Sequence, residues 1–380
     1  MQEPIRVLHV LGGLSLGGAE SRIMDLYRNM DREKIQFDFL VHQSGTAERK
    51  PEFYDEEIRK LGGKIYLLPK FKVYNYFAYR KAAKDFFAAH HAFQVVQGHM
   101  TSTAAVYLPA AKAAGVPLAV SHARSAGVDA GLKGKLTKWM RRKLLYKSDL
   151  CFACSKEAGT AVFGRDWLTS EKAVVLPNAI EAGKFVYNEE KRREVREEMG
   201  IEGCFVIGHV GRFHPAKNHE YLLEVFRIVR ERLNGQGRRA VLLLLGDGAG
   251  RAAAREKAAD MDMEQDVMFL GNKGDAETYY QAMDYFVFPS RFEGLPGTVV
   301  EAQAAGLRCI ISDRITPEVG ITGLVHYESI EKEADIWAEY ILDHAVYERE
   351  NMLADIKKAG FDAGEQAAGL TVFYETGKLQ

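Results

Sequence analysis

FPSRFEGLPGTVVEAQAAG, residues 288–306, reads as a strand end, a Gly-Leu-Pro-Gly turn and a helix start. This is one βα unit of a parallel sheet. Pro296 is predicted at the first helical position, where its missing N–H costs nothing, and Gly306 at the C-terminal stop. A helix that starts here offers free backbone N–H groups and its positive dipole end at the carboxyl edge of the sheet, a ready place for a phosphate. Glu293 precedes that anion site, and Glu301 follows Pro296 by five residues, roughly 7.5 Å along a helix. Two carboxylates so spaced can accept hydrogen bonds from the hydroxyls of a sugar at one end and of a ribose at the other. The plain alternative is a pair of solvated glutamates around a helix cap, and the buried strand and the Gly-Leu-Pro-Gly turn argue against it.

Working outward, the same alternation of short apolar runs and longer helical patterns occurs twice. In the first half the predicted strands are 5–10, 37–41, 64–68, 94–97, 117–121 and 149–153; in the second they are 205–210, 240–245, 267–270, 285–288 and 308–311. Between the halves VVLPNAIEAGKF (174–185) breaks periodicity, and a charged stretch follows from Asn188. The expectation is therefore an α/β chain of two Rossmann-like domains, 1–178 and 179–380, facing across a cleft, with ligands at the carboxyl ends of their strands.

A chain of 380 residues suits two domains, and its 47% hydrophobic and 27% charged content is that of an ordinary globular protein. A net charge of −1 gives no general reason to expect nucleic acid. MQEPIRVLHVLGG lacks the basic head and long apolar centre of an export signal, and no run reaches the length of a membrane span. These features predict a cytoplasmic protein. Cys151 and Cys154 form a C-x-x-C in DLCFACS, but no second pair completes a zinc set, so both are read as buried structural cysteines.

A second motif, GHVGRFHPAKNHEYLLEVF (208–226), pairs a strand end with Arg212, Lys217 and a following helix. Two cations beside a helix start can offset the charge that grows on a departing diphosphate. Together with the E-x7-E of 293–301, this stretch resembles glycosyltransferase family 4, the retaining enzymes of the GT-B fold. FDFLVHQ, EIRKLGGKIY and IISDRITPEV look most like bacterial exopolysaccharide and capsule enzymes. The resemblance covers nearly the whole chain. It implies that the second domain binds a nucleoside-diphosphate sugar, UDP-linked, and that the first binds a carbohydrate or polyprenyl-diphosphate-linked acceptor. It also implies that the last helix folds back over the first domain.

On that pattern Glu293 orients the donor sugar, with Gly294, Leu295, Gly297, Thr298 and Glu301 lining the donor. Gly246 in LLLLGDGAGR faces the nucleotide, and Asn272 and Lys273 in FLGNKGD lie by the base. LLLLGDGAGR is not the G-x-G-x-x-G of a dinucleotide site. Gly17 and Gly18, opening the first helix, fall near the donor phosphates. His122 and Arg124 in AVSHARS, with His99 in VVQGHMTS, are the acceptor-side candidates, His122 also as a catalytic group beside the reacting sugar. A structural histidine is the standing alternative for each. Because Arg212 and Lys217 supply positive charge and no D-x-D is present, the resemblance implies neither metal nor cofactor. With no carboxylate nucleophile evident, front-face attack is the expected mechanism, and loss of Glu293 should lower turnover while leaving free UDP binding nearly intact. Asn218 where relatives carry glycine, and Gly297-Thr298 after the proline, depart from the pattern without removing a charge.

KGKLTKWMRRKLLYK (133–147) has seven Lys or Arg and no acid, with Leu136, Trp139, Met140 and Leu144 at helical spacing. Such a helix can lie on the inner face of a membrane, though an ordinary core-facing helix with a solvated basic side fits the same pattern. Two rival functions share the architecture: a nucleotide-sugar epimerase and a non-catalytic sugar-binding protein.

Overall fold

The structure, a computed structural model, describes residues 3–44, 49–124 and 131–378, with backbone alone at 73, 131–133 and 136. It divides into two compact units, Met1–Ala179 with Ala363–Gln380, and Ile180–Asp362. The expected second domain, 179–380, is thus corrected at its far end, because residues 363–380 belong to the first unit.

The first unit carries β1 (Ile5–Leu11), β2 (Ile35–Gln43), β3 (Ile65–Pro69), β4 (Phe93–Gly98), β5 (Leu118–Ala123), β6 (Leu150–Ala153) and β7 (Ala173–Val175). All pair in parallel, in the order β3-β2-β1-β4-β5-β6-β7. The second unit carries β8 (Phe205–Val210), β9 (Ala240–Leu245), β10 (Val267–Gly271), β11 (Tyr285–Phe288), β12 (Arg308–Ser312) and β13 (Val325–Glu328), in the order β10-β9-β8-β11-β12-β13. These too are parallel. β7 and β13 are additional to the strands expected from sequence; each is an edge strand of three or four residues.

Central strands buried on both faces read as unbroken apolar runs. In β9 every residue of AVLLLL is buried. The first sheet has a core on each face, and the helix Ala363–Thr376 supplies one of them: Ala363, Ala367, Leu370, Phe373 and Tyr374 pack with Val7, Ile23, Phe37, Val120 and Phe152. The Tyr374 hydroxyl, buried there, donates to Gln97 Oε1 at 2.9 Å. Cys151 and Cys154 are buried free thiols, as their place in a core strand requires.

In both sheets strand order reverses beside the first strand of the unit. β8 lies between β9, which leads off one way, and β11, which leads off the other; β1 lies likewise between β2 and β4. The loops leaving two such strands diverge and leave a crevice at their carboxyl ends, the ligand position of open α/β sheets.

Candidate active site

At the switch of the second unit, the loop after β8 carries Arg212 and Lys217, and the loop after β11 carries Glu293. Lys217 closes a short 3-10 turn, Pro215–Lys217, whose cap is His214 Nδ1 accepting from the Ala216 N–H. Its ammonium lies 2.7 Å from Glu293 Oε1 and 4.5 Å from the Phe288 ring centre. Both side chains of the pair are less than one-fifth exposed. Gly211 makes this possible: a Cβ there would stand 3.2 Å from the Lys217 stem and 3.0 Å from His209 Nε2. Arg212 is exposed, and among the described residues its guanidinium has no ion-pair partner.

The loops after β8 and β9 touch backbone to backbone. Gly246 has φ 131°, and a Cβ on it would fall 2.1 Å from the Gly211 carbonyl oxygen, so only glycine fits. On the far side, Asn272 is exposed after β10, and Lys273 turns its ammonium over the Tyr279 ring at 5.3 Å.

The helix after Glu293 runs Gly297–Ala304, so Pro296 is its N-cap, with extended backbone (φ −74°, ψ 108°), and Gly297 is the first helical residue. This corrects the expected start by one position. The physical reason is that the chain is still extended at Pro296, leaving the N–H groups of Gly297 and Thr298 at the helix mouth. Gly306 has φ 68° and ends the helix as expected. Gly294 and Leu295 are buried below the turn. Glu301 is only 5% exposed and accepts from the Tyr280 hydroxyl at 2.8 Å, while the same hydroxyl lies 3.1 Å from the Thr298 carbonyl. Tyr280, on a separate helix, was not singled out from sequence.

At the switch of the first unit, β1 leads to Gly17 and Gly18, β4 to His99, and β5 to His122 and Arg124. A Cβ on Gly17 would meet the Glu20 carboxylate at 2.4 Å, so Glu20 folds back over its own helix start; Gly18 faces open space. The histidines stand in a row: His99 is 5.3 Å from His9 and 5.2 Å from His122, centre to centre. Arg124 Nε donates to His99 Nδ1 at 3.3 Å, and Arg124 Nη1 to Asn178 Oδ1 at 2.9 Å. Gln97 spans Tyr374 and His122, its amide nitrogen 2.8 Å from His122 Nδ1.

His122 is 0% exposed, so the expectation that it meets substrate directly is corrected: it lies inside the sheet edge, and His99 and Arg124 are the partly exposed members. Burial pushes His9 down to about 3 and holds His99 and His122 well below the usual histidine range, with the Arg124 charge adding to all three. All three imidazoles are therefore neutral near pH 7. Burial also lowers Arg124, to about 10. Among the described residues no three His, Cys, Asp or Glu side chains are placed to hold a metal. His9 was missed from sequence, since a histidine inside an apolar strand carries no motif of its own.

The basic segment forms a helix, Gly131–Arg141, and a short second one, Leu144–Lys147. Met140 and Leu144 are buried, but Trp139 is 66% exposed, so it does not share their face as the spacing suggested. The side chains of Lys133 and Leu136 lie outside the described residues. Among the described residues no helix is long and apolar enough to cross a membrane.

Residues 16–184 match the family described as Glycosyltransferase Family 4, and residues 204–343 the one described as Glycosyl transferases group 1. The putative glycosyltransferase EpsF of Bacillus subtilis is 36% identical over 97% of this chain and 96% of its own. An Escherichia coli UDP-Gal:alpha-D-GlcNAc-diphosphoundecaprenol alpha-1,3-galactosyltransferase is 25% identical over 81% of this chain and 79% of its own. The structure of Anabaena HepE in complex with UDP and glucose superposes with a TM-score of 0.71 at 16% identity, covering 96% of this chain and 94% of that one. With a relative matched along its whole length and both units accounted for, the chain belongs to glycosyltransferase family 4 and has its GT-B fold.

Proposed function

We propose that this glycosyltransferase takes its sugar from a UDP-sugar held on the second unit and passes it, with retention, to a sugar or lipid-linked sugar held on the first, in the assembly of a bacterial surface polysaccharide. The observation that carries the donor half is the Lys217–Glu293 pair, which joins the loops after β8 and β11 at the strand-order switch, with Arg212 exposed on the first of these loops and a helix starting at Gly297 on the second. Cations and backbone N–H groups suit a diphosphate, and a carboxylate suits sugar hydroxyls. UDP in the HepE complexes and the UDP-Gal donor named for the E. coli relative support uridine as the base. The acceptor class follows the relatives named for diphosphoundecaprenol-linked and capsular sugars.

Arg212 and Lys217 hold the β-phosphate as it leaves, and the N–H groups at Gly297 and Thr298 share its charge. No metal or other cofactor is needed in this scheme. Glu293 holds the donor sugar while the acceptor hydroxyl attacks from the face the phosphate is leaving, and the phosphate oxygen takes the proton. Trapping a glycosyl adduct on Glu293 would replace this with a double displacement.

The basic helix is proposed to rest on the inner face of the cytoplasmic membrane, supported by exposed Trp139 and Tyr146 among Lys138, Arg142 and Lys143. Arg141 is partly buried and is the wrong residue to alter in a vesicle-binding test.

Thermal unfolding with UDP, GDP or ADP, with and without EDTA, tests the donor site; a ligand at about 100 times its Kd adds about 2.7 kcal/mol. The expected result is a shift with UDP that survives EDTA and vanishes in Arg212→Ala. No shift with any nucleotide overturns the reading.

A further inference from the structure

The hydrogen-bond directions at the first unit's switch leave the site short of acceptors. Arg124 Nε can only donate, so His99 Nδ1 accepts, and neutral His99 must carry its proton on Nε2. That Nε2 then donates to His9 Nδ1 at 3.0 Å, which puts the His9 proton on its own Nε2. On the other side Gln97 Oε1 is taken by the Tyr374 hydroxyl, so the Gln97 amide nitrogen donates to His122 Nδ1, and the His122 proton also sits on Nε2. Among the described residues, His9 Nε2 and His122 Nε2, both in side chains at most 1% exposed, and Arg124 Nη2 have no hydrogen-bond partner. The cluster therefore holds three buried N–H donors without an acceptor.

Charge points the same way. Among the described residues no carboxylate lies within ion-pair distance of Arg124, and Arg22 is near enough for its charge to work against it. Glu20, the nearby carboxylate, stands over its own helix start at Gly17. Arg349 shows how this chain treats a purely structural buried arginine: all three of its nitrogens donate to main-chain carbonyls, at Tyr280, Gln281, Met283 and Ala305. Arg124 is left with one nitrogen open beside partly exposed His99, and an unpaired buried charge is costly unless something fills the place.

We propose that Arg124, positioned by His99, forms an anion subsite on the first unit, which takes a phosphate or a carboxylate carried by the acceptor. This deepens the acceptor half of the proposed function and rests on it. An acceptor-only group supplies what the site lacks among the described residues: lone pairs for the open Arg124 nitrogen and a negative charge within ion-pair distance of it. Neutral acceptors would leave Arg124 uncompensated and bind less well for that reason.

The test is calorimetry on the full chain with the donor site first saturated by UDP, so that added anions cannot report on Arg212 and Lys217. Inorganic pyrophosphate, methyl glucuronide and methyl glucoside are titrated in turn. Pyrophosphate or glucuronide should bind the wild type, the stronger of the two naming the source of the charge, and the glucoside should bind neither detectably nor in an Arg124-dependent way. Arg124→Gln should weaken the anion by about tenfold or more with UDP affinity unchanged, and Arg124→Lys should recover part of the loss. Absence of anion binding by the UDP-saturated wild type, or equal anion binding in Arg124→Gln, overturns the proposal and leaves the donor site standing. Loss of UDP binding by the wild type would instead sink the donor reading. If Arg124→Gln does not fold, Arg124→Lys and the wild-type titration still decide.

Discussion

Replacing Glu293 by Gln should separate binding from turnover in an unusual direction. The Lys217 ammonium, proposed to meet a diphosphate, is already held by Glu293 at 2.7 Å. At that distance the bare attraction is about 1.5 kcal/mol in bulk water and about 6 kcal/mol at an effective dielectric constant of 20. Desolvation and side-chain ordering reduce the net value of such a half-buried pair to about 1 kcal/mol. A diphosphate must share Lys217 with this carboxylate and also meets its negative charge. Glu293→Gln removes both obstacles and keeps the shape. Free UDP should therefore bind about fivefold tighter than in wild type, whereas sequence alone suggested no change. Turnover with the UDP-sugar should fall by about 10² to 10³, because the sugar loses a placed acceptor. Calorimetric titration of UDP in EDTA at two salt concentrations, beside steady-state rates, makes the comparison, and the gain should shrink at high salt. A UDP affinity weakened more than about threefold in Glu293→Gln would refute the reasoning, since it would make Glu293 a support of the phosphate site and not its competitor.

Gly246→Ala should cost more than about 2 kcal/mol in urea unfolding and weaken UDP binding, because a Cβ 2.1 Å from the Gly211 carbonyl must push the loops after β8 and β9 apart; an unchanged midpoint would show that the loops yield freely. Stability should fall as pH drops below about 6.5. His9, His99 and His122 stay neutral in the fold while the unfolded chain takes up their protons, so unfolding gains protons and stability rises with pH through this window. Each such histidine contributes at most about 1.4 kcal/mol per pH unit. Urea midpoints at pH 7 and pH 5 check this, and His9→Gln should flatten the slope.

Strand positions were legible wherever apolar runs were long. β8, β9 and β11 stand where the sequence placed them, because strands buried on both faces are built of long, mostly apolar runs. β7 (AVV) and β13 (VHYE) escaped notice because short edge strands bury little and carry no such run. The residues of the proposed donor site were picked out by residue types at fixed spacing around glycines. What spacing could not supply was pairing across the fold: Lys217 with Glu293, and Tyr280 with Glu301, meet only because β8 and β11 are neighbours and a later helix packs on the same side. The histidine row was half visible. His99 follows β4 and His122 lies next to the end of β5, but His9 joins them only through the register of β1 on β4, which pairs His9 with Gln97.

The return of Ala363–Thr376 to the first unit also sets an order for the newly made chain. Residues 180–362 contain every strand and helix of the second unit and can close their core as soon as they are synthesised. The first unit, although made earlier, must wait for Leu370 and Phe373, each worth about 1.5–3 kcal/mol of burial. Until then the part of that core which Ala363–Thr376 covers stays open. A chain halted short of residue 363 would hold a finished later unit and an unfinished earlier one, and the packing of the first unit would be decided by a helix made after the whole of the second.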